Sequence, residues 1–193
     1  ISTMLDMLEN TPKKDIAKSQ NTHYLDPDYP NVKIKPDAFE KDIKSVSYDK
    51  DLKKWTAPFV MAAVNTRVVR RSSRLCNYGD NFRYNEMFQG GFISCFTLWI
   101  GLAIFLILMI IPFTRFFVKK FLPSPGEGPS EKKMEKSFFK HTIVAEASNG
   151  EKVWAEVRGG DPGYAETSKM LSESALCLAF DSPNFERDGG CLT

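Results

Sequence analysis

The chain has 193 residues, of which 42% are hydrophobic, and its 26 Lys and Arg against 24 Asp and Glu give a formal net charge of +2. This near-neutral balance creates no strong positive field, which argues against nucleic acid as a partner. The length fits one domain or two small ones, and the composition is ordinary for a globular protein.

Cysteine and histidine usage argues against a metal site. The four cysteines are widely spaced without a CxxC pair, and the chain has two histidines, both far from any cysteine in sequence. We therefore expect no metal and four reduced thiols, at Cys76, Cys95, Cys177 and Cys191. The chain opens on Ile1 without an initiator Met or an apolar leader, and both ends look cut, so we expect more sequence before Ile1.

The first third of the chain predicts short elements joined by a linker. Helical spacing of apolar residues over Ile1–Glu9 indicates the end of a helix. Three prolines between Gln20 and Pro36 predict a turn-rich linker without regular structure. Ile43–Tyr48 and Leu52–Trp55 alternate or turn as a hairpin does.

A helix is predicted from Thr56, as N-cap, to about Leu75. Four arginines at i, i+3, i+4 and i+7 share one face of it: Arg67, Arg70, Arg71 and Arg74. Because guanidinium binds phosphate bidentately, this face is a candidate site for an anion or a lipid headgroup. The alternative is a solvated face paired with Asp and Glu.

The longest apolar run follows an aromatic approach segment that ends at Gly91. Phe92–Phe113 is 22 residues without a charge. As a helix it would be about 33 Å long, which matches a hydrocarbon core of about 30 Å. We predict a membrane-embedded helix or helical hairpin here. A helix buried between subunits is the alternative.

Basic and aromatic residues mark the exit from this run, and we expect them at the membrane interface: Arg115, Phe116, Phe117, Lys119 and Lys120. The proline-rich Leu122–Ser130 predicts a loop, and Ser130 with Glu131 can open a short helix.

The C-terminal part predicts a hairpin and a helix. His141–Ala147 and Lys152–Arg158 alternate across Asn149–Gly150, which is typical of an antiparallel hairpin with one packed and one wet face. The glycine turn that follows holds our loop candidates: Gly159, Gly160, Asp161, Gly163 and Tyr164. A glycine turn before a helix can bind phosphate, but GxGxxG spacing is absent and the Asp161 carboxylate lies where a phosphate would bind, which favours a capped turn. The helix is expected to bury a stripe that includes Leu171 and Leu178.

No catalytic residues can be assigned from spacing. Asp161, Tyr164, Glu166 and Lys169 lie close together in sequence at the turn, but they are typical capping and surface residues. The catalytic residues are therefore unknown at this level.

Four segments of the chain, in order, resemble the saccharopine dehydrogenase-like oxidoreductase family: ISTMLDMLE, WTAPFVMAAVNTRVVRRSSRL, LPSPGEGPS and VRGGDPGYAETSKMLSESALCLAF. The resemblance implies an NAD- or NADP-dependent enzyme with an N-terminal dinucleotide-binding domain and a second α+β domain, of which this chain resembles the second. Some members of that family are associated with lipid droplets, membranes and lipid biosynthesis, including enoyl reduction. No GxGxxG occurs between Ile1 and Thr193, so no residue in this chain is expected to bind the cofactor.

Together these observations predict an α+β fold of antiparallel strands and packed helices, interrupted by the membrane segment. The expected divisions are 1–91, 92–122 and 123–193. The expected function is the membrane-associated part of such an oxidoreductase, acting on a lipid-like substrate, with a non-catalytic membrane anchor or assembly subunit as the alternative. Expected partners are membrane lipid, the missing nucleotide-binding domain and either a second copy or a larger membrane complex.

The resemblance and the charges also bear on topology and location. A full crossing would separate two halves of one domain, and basic residues flank the apolar run on both sides. We therefore expect both flanks to be cytoplasmic, with a re-entrant insertion favoured over a single span, although the midpoint of the run has no strong turn signal beyond Gly101. Lipid droplet, endoplasmic reticulum and mitochondrial membrane remain open.

Overall fold

The computed structural model describes residues 11–28, 39–79, 81–121 and 126–181, and within them six helices and five strands. The chain divides into two units, Ile1–Leu122 and Pro123–Leu192. The first contains α1 (Lys13–Ser19), β1 (Ser47–Asp49), β2 (Lys54–Ala57), α2 (Ala62–Cys76), β3 (Phe88–Gly90), α3 (Phe92–Ile110) and α4 (Pro112–Phe121). The second contains α5 (Glu131–Lys136), β4 (Phe139–Glu146), β5 (Lys152–Gly159) and α6 (Ala165–Phe180). Helices with antiparallel strands confirm the predicted mixed fold, whereas the three-part division stays a prediction, and the predicted helix at Ile1–Glu9 lies outside the described residues.

The first unit is built around a three-stranded antiparallel sheet in which β2 lies between β1 and β3. The turn between β1 and β2 is closed by the Asp49 carboxylate, which accepts hydrogen bonds from the amides of Asp51 and Leu52, each at 2.9 Å. This confirms the predicted hairpin. Strand β3 was not predicted, because its three residues belong to the aromatic segment before Phe92 that was expected to lie at the membrane interface.

The prediction that Thr56 caps a helix is wrong. Thr56 lies in β2, opposite Ser47 on one side and Gln89 on the other, and its hydroxyl donates to the Ser47 carbonyl at 3.1 Å. A β-branched residue in a central strand is well placed there. Helix α2 begins at Ala62, beyond Pro58.

Helix α3 confirms that the apolar run is helical, over 19 residues. It is continuous through Gly101, so a helical hairpin with its turn at the midpoint of the run is not what the structure has. The chain bends instead at Ile111, whose backbone is extended (φ −78°, ψ 119°). Pro112 follows, and because a proline disfavours helical backbone at the residue before it, the break is located by sequence.

In the second unit, β4 and β5 pair over eight residues each, from Phe139 opposite Gly159 to Glu146 opposite Lys152. Gly150 at the turn has φ +86°, a conformation that glycine adopts without steric cost. The predicted hairpin is confirmed. The predicted packed face is not found among the described residues, because Ile143 and Val157 are both nearly half exposed.

The prediction of a buried stripe on α6 is wrong for the described part of the chain. Leu171 is 71% exposed and Leu178 59% exposed, and no residue of α6 is buried. Helical spacing identifies an apolar face, but it does not supply the surface that would cover it.

Candidate functional site

The arginine face of α2 is a densely hydrogen-bonded part of the structure. Arg67 is 4% exposed, and its guanidinium forms a bidentate pair with the Asp42 carboxylate, at 2.5 and 2.7 Å. This pairing holds the pKa of Asp42 below its usual value.

Arg70 is equally buried and donates to three backbone carbonyls, those of Thr22 at 3.1 Å and of Glu40 and Tyr84 at 2.9 Å. The Glu40 carboxylate lies 3.7 Å from its Nε. One side chain therefore joins three segments that are distant in sequence.

The other two arginines lie nearer the surface. Arg71 donates to the Leu25 carbonyl at 2.9 Å. Arg74 lies 3.2 Å from the Asp28 carboxylate and 3.5 Å from that of Asp26. All four guanidinium groups thus have protein oxygen partners. Binding of an external anion by this face stays a prediction.

A buried histidine that the sequence did not single out lies beside this network. His23 is 6% exposed, with Nε2 3.5 Å from the Glu40 carboxylate and Nδ1 3.9 Å from that of Asp26. Nothing in the sequence marked it, since it falls in the segment read as a linker. Among the described residues, no three His, Cys, Asp or Glu side chains are grouped as a metal site would require.

Beyond the network, Tyr84 donates its hydroxyl to the Glu86 carboxylate at 2.8 Å. Burial, followed by this hydrogen bond and the carboxylate charge, raises the pKa of Tyr84 to about 12. The same glutamate accepts from the side-chain amide of Asn65 at 2.9 Å. Helix α2 is therefore fixed on both sides by polar contacts.

The glycine turn of the second unit is a capped helix start, as the sequence analysis favoured. The Asp161 carboxylate accepts from the amides of Tyr164 at 2.7 Å and Ala165 at 3.2 Å, and Glu166 accepts from the Gly160 amide at 3.2 Å. Asp161 is 7% exposed. Because its carboxylate takes the amides that would bind a phosphate, a dinucleotide does not fit this turn.

The remaining loop candidates line the same turn. Tyr164 is 54% exposed, and a Cβ on Gly128 would lie 3.4 Å from its ring. A Cβ on Gly163 would lie 3.7 Å from the Asp161 carboxylate. No base or nucleophile is paired with Tyr164 in the described hydrogen bonds, so this turn has the geometry of a structural element.

The apolar helix has the opposite character. Helix α3 is long and apolar enough to cross a membrane by length and composition, and Ile93, Ile104, Ile107 and Ile110 are each more than half exposed. In α4, Phe116 is 58% and Phe117 47% exposed, and the Lys120 ammonium lies 4.8 Å from the centre of the Phe116 ring. The side chains of Arg115 and Lys119 lie outside the described part.

The first turns of α3 pack on the sheet. Cys95 is fully buried and its thiol donates to the Trp55 carbonyl at 3.2 Å. The indole N–H of Trp99 donates to the Lys44 carbonyl at 2.9 Å. Gly90 leaves room for the Phe88 ring, because a Cβ on Gly90 would lie 3.3 Å from that ring.

Comparison with known proteins indicates relatives among the oxidoreductases. A Mycobacterium tuberculosis protein whose name gives it as a candidate trans-acting enoyl reductase is 36% identical over 152 residues, covering 72% of this chain and 36% of that protein. Trans-acting enoyl reductases of Mycobacterium ulcerans and Mycobacterium bovis are 32% and 30% identical over 149 residues, with the same coverage. The chain therefore spans about a third of the length of these relatives. No family model and no solved structure matches.

These relatives correct the sequence-based assignment. They are named enoyl reductases, so the resemblance to saccharopine dehydrogenase-like proteins was wrong, and so was the function drawn from it, a membrane-associated part of such an enzyme. Oxidoreductase, the broader class, agrees with the relatives' names. The quoted segments include the arginine face and the capped turn, which stabilise a fold and do not identify a reaction.

Proposed function

We propose that this chain is part of an NAD(P)H-dependent enoyl reductase. The observation that carries the proposal is its similarity to trans-acting enoyl reductases over 72% of its length. Enoyl reduction transfers a hydride from the nicotinamide to the β-carbon of an α,β-unsaturated acyl group, and a proton to the α-carbon. One NAD(P)H is oxidised for each saturated product.

The cofactor is proposed to bind in a part of the full-length protein that this chain does not include. The matched residues are 36% of the relatives' length, which leaves ample sequence for a nucleotide domain. The glycine turn before α6 is occupied by Asp161 and does not fit a pyrophosphate. No step of hydride transfer is therefore assigned to this chain's own residues.

The test uses the full-length protein from which this chain comes. Saturable quenching of its tryptophan fluorescence by NADPH or NADH is expected, together with protection of the nucleotide by the protein from added phosphodiesterase. A sample that is folded by circular dichroism and binds neither nucleotide would contradict the proposal. Comparing the two nucleotides also decides which one the enzyme uses.

We further propose that α3 and α4 bind membrane lipid, with the flanking segments on the cytoplasmic side. The support is the uncharged, exposed surface of α3 and the basic residues on both flanks. Each Leu, Ile or Phe contributes roughly 0.3 to 0.6 kcal/mol to insertion at a helix centre. In a flotation assay, the full-length protein should rise with sealed phosphatidylcholine vesicles, and more completely when phosphatidylglycerol is included. Protein that stays at the bottom of the gradient would contradict membrane binding.

A further inference from the structure

The way α3 is anchored limits how deeply it can enter a bilayer. Its first two turns, Phe92–Trp99, are attached by the Cys95 thiol to β2 and by the Trp99 indole to Lys44, in the segment before β1. The Phe92 ring also packs edge-on against Trp55, with 4.8 Å between ring centres. Cys95 is fully buried by this packing, while Phe92 and Ile93 remain 49% and 76% exposed.

If these turns entered the hydrocarbon core, the residues to which they are attached would have to enter it as well. Lys44, whose carbonyl binds Trp99, is exposed, as are Lys53 and Lys54 at the start of β2. Charged side chains and unpaired strand edges are both strongly disfavoured in the hydrocarbon core. The attached part of α3 therefore stays at or above the headgroups.

The free part of the helix is too short to cross. The 19 residues of α3 would measure about 28 Å at about 1.5 Å per residue, close to a full core. Residues 100–110, beyond the attachment, would measure only about 16 Å, roughly half of a core of about 30 Å. By its length, the free part of α3 can therefore extend through only one leaflet.

In the free part of α3, exposure is greatest on one side. Ile104, Ile107 and Ile110 are 53 to 70% exposed, and they fall within roughly a third of the helix circumference at 3.6 residues per turn. Met109, which is fully buried, lies on the opposite side, although Leu106 is 40% exposed. The side that carries the three isoleucines is therefore the side of α3 that is available to lipid.

Helix α4 supplies the return to the surface. After the bend at Ile111, the Thr114 hydroxyl donates to the Leu108 carbonyl at 2.6 Å, which ties α4 to the end of α3. Phe113 and Phe116 are exposed, and the sequence adds cations at Arg115, Lys119 and Lys120. Aromatic residues with nearby cations are suited to the level of the headgroups, where anionic lipids bind Lys and Arg.

We propose that this chain inserts into a single leaflet, with α3 inclined in it and the chain before Phe92 and after Phe121 on the same side. The proposal rests on the proposed membrane binding. The bound partner is the lipid of one leaflet, and the contact surface is the exposed side of α3 together with α4.

Native cysteines report the topology. Cys76 precedes α3 and Cys177 follows α4, and both are exposed cysteines that form no disulfide. Sealed vesicles from cells expressing the full-length protein are treated with a membrane-impermeant maleimide, and labelling of each cysteine is read by peptide mass spectrometry. Detergent-opened vesicles give the total. We expect Cys76 and Cys177 to label to the same fraction of that total, and a single span would instead leave one of them protected until detergent is added.

A surface substitution separates this proposal from membrane binding itself. Ile107→Asp should reduce flotation with vesicles at least tenfold, whereas Ile143→Asp, an exposed isoleucine of β4, should not. If wild-type protein does not float and instead forms a dimer that Ile107→Asp dissociates, a second copy covers α3 and both proposals fail. If the protein floats but Cys76 and Cys177 label on opposite sides, membrane binding stands and the single-leaflet topology is overturned.

Discussion

Two helices of the first unit reverse the usual relation between polarity and burial. Helix α2 buries two of its arginines, Arg67 and Arg70, each 4% exposed, whereas α3 exposes isoleucines along most of its length. Buried charge is tolerated on α2 because every guanidinium group has oxygen acceptors. The exposed apolar surface of α3 is unfavourable in water, so it indicates a non-aqueous partner.

The side chains of α2 connect distant segments of the unit and so stabilise its fold, whereas α3 is attached to segments that other contacts already position. The arginines of α2 join segments up to 48 residues apart in sequence. Helix α3 is attached at its first two turns and again at its last, where Met109 is fully buried and the Leu108 carbonyl accepts from Thr114. Substitutions on the two helices should therefore have opposite effects on stability and on membrane binding.

The largest effect is expected for Arg70→Ala. It leaves the carbonyls of Thr22, Glu40 and Tyr84 without this donor and removes a cation from beside the buried Glu40 carboxylate, at a cost of about 3 to 5 kcal/mol. Amide hydrogen exchange of the full-length protein over residues 20–28 should rise accordingly. Arg74→Ala, at a side chain that is 40% exposed, is the matched control and should cost less than about 1 kcal/mol. Equal effects of the two variants would contradict the structural role of the buried arginine.

A smaller effect is expected for Trp99→Phe. The substitution keeps a ring but removes the hydrogen bond to the Lys44 carbonyl, which is worth about 0.5 to 1.5 kcal/mol. Amide exchange in the first turns of α3 should speed up. Leu98→Met, at an exposed neighbour, serves as the control. Unchanged exchange in the Trp99 variant would mean that this contact does not attach α3 to the segment before β1.

The Asp42–Arg67 pair predicts a pH dependence. Since the folded-state pKa of Asp42 is lowered, its stabilisation is present above about pH 4 and is lost as the pH falls through the folded value. The pH-dependent part should stay below about 1 kcal/mol, because the Asp42 side chain is 34% exposed. Asp42→Asn should flatten the stability profile between pH 5 and 3. A profile insensitive to Asp42→Asn would contradict the assignment.

The smallest effect on folding is expected for Ile107→Ser. An isoleucine that is 56% exposed loses little on truncation, so the free energy of unfolding in detergent should change by no more than about 0.5 kcal/mol. Met109→Ser, at a fully buried neighbour, should cost several times more. A loss above about 2 kcal/mol for Ile107→Ser would show that this side of α3 is core.

Local signals in the sequence predicted local structure well. The uncharged run predicted α3, and Asn149–Gly150 predicted the β4–β5 hairpin. The predicted capping by Asp161 depends on backbone amides only three and four residues away, those of Tyr164 and Ala165. Each of these depends on neighbours in sequence. The structure followed them closely.

Long-range partners could not be read from spacing. The long-range acceptors of the arginine face come from residues 14 to 48 positions distant, and His23 lies in a segment without a recognisable pattern. Strand β3 is formed by pairing with β2, and its own three residues do not indicate this pairing. The family resemblance was wrong although its segments include the arginine face and the Asp161 turn, because such structural features do not identify a reaction.

The most direct test of the proposed function is isotope transfer by the full-length protein. It is incubated with a 2-enoyl thioester and NADPH, or NADH if that is the nucleotide bound, carrying deuterium at the transferable position of the nicotinamide. The account predicts a saturated thioester with one deuterium at the β-carbon and one oxidised nucleotide per product, by mass spectrometry. Unreduced thioester from a folded, nucleotide-binding sample would contradict the assignment to enoyl reductases.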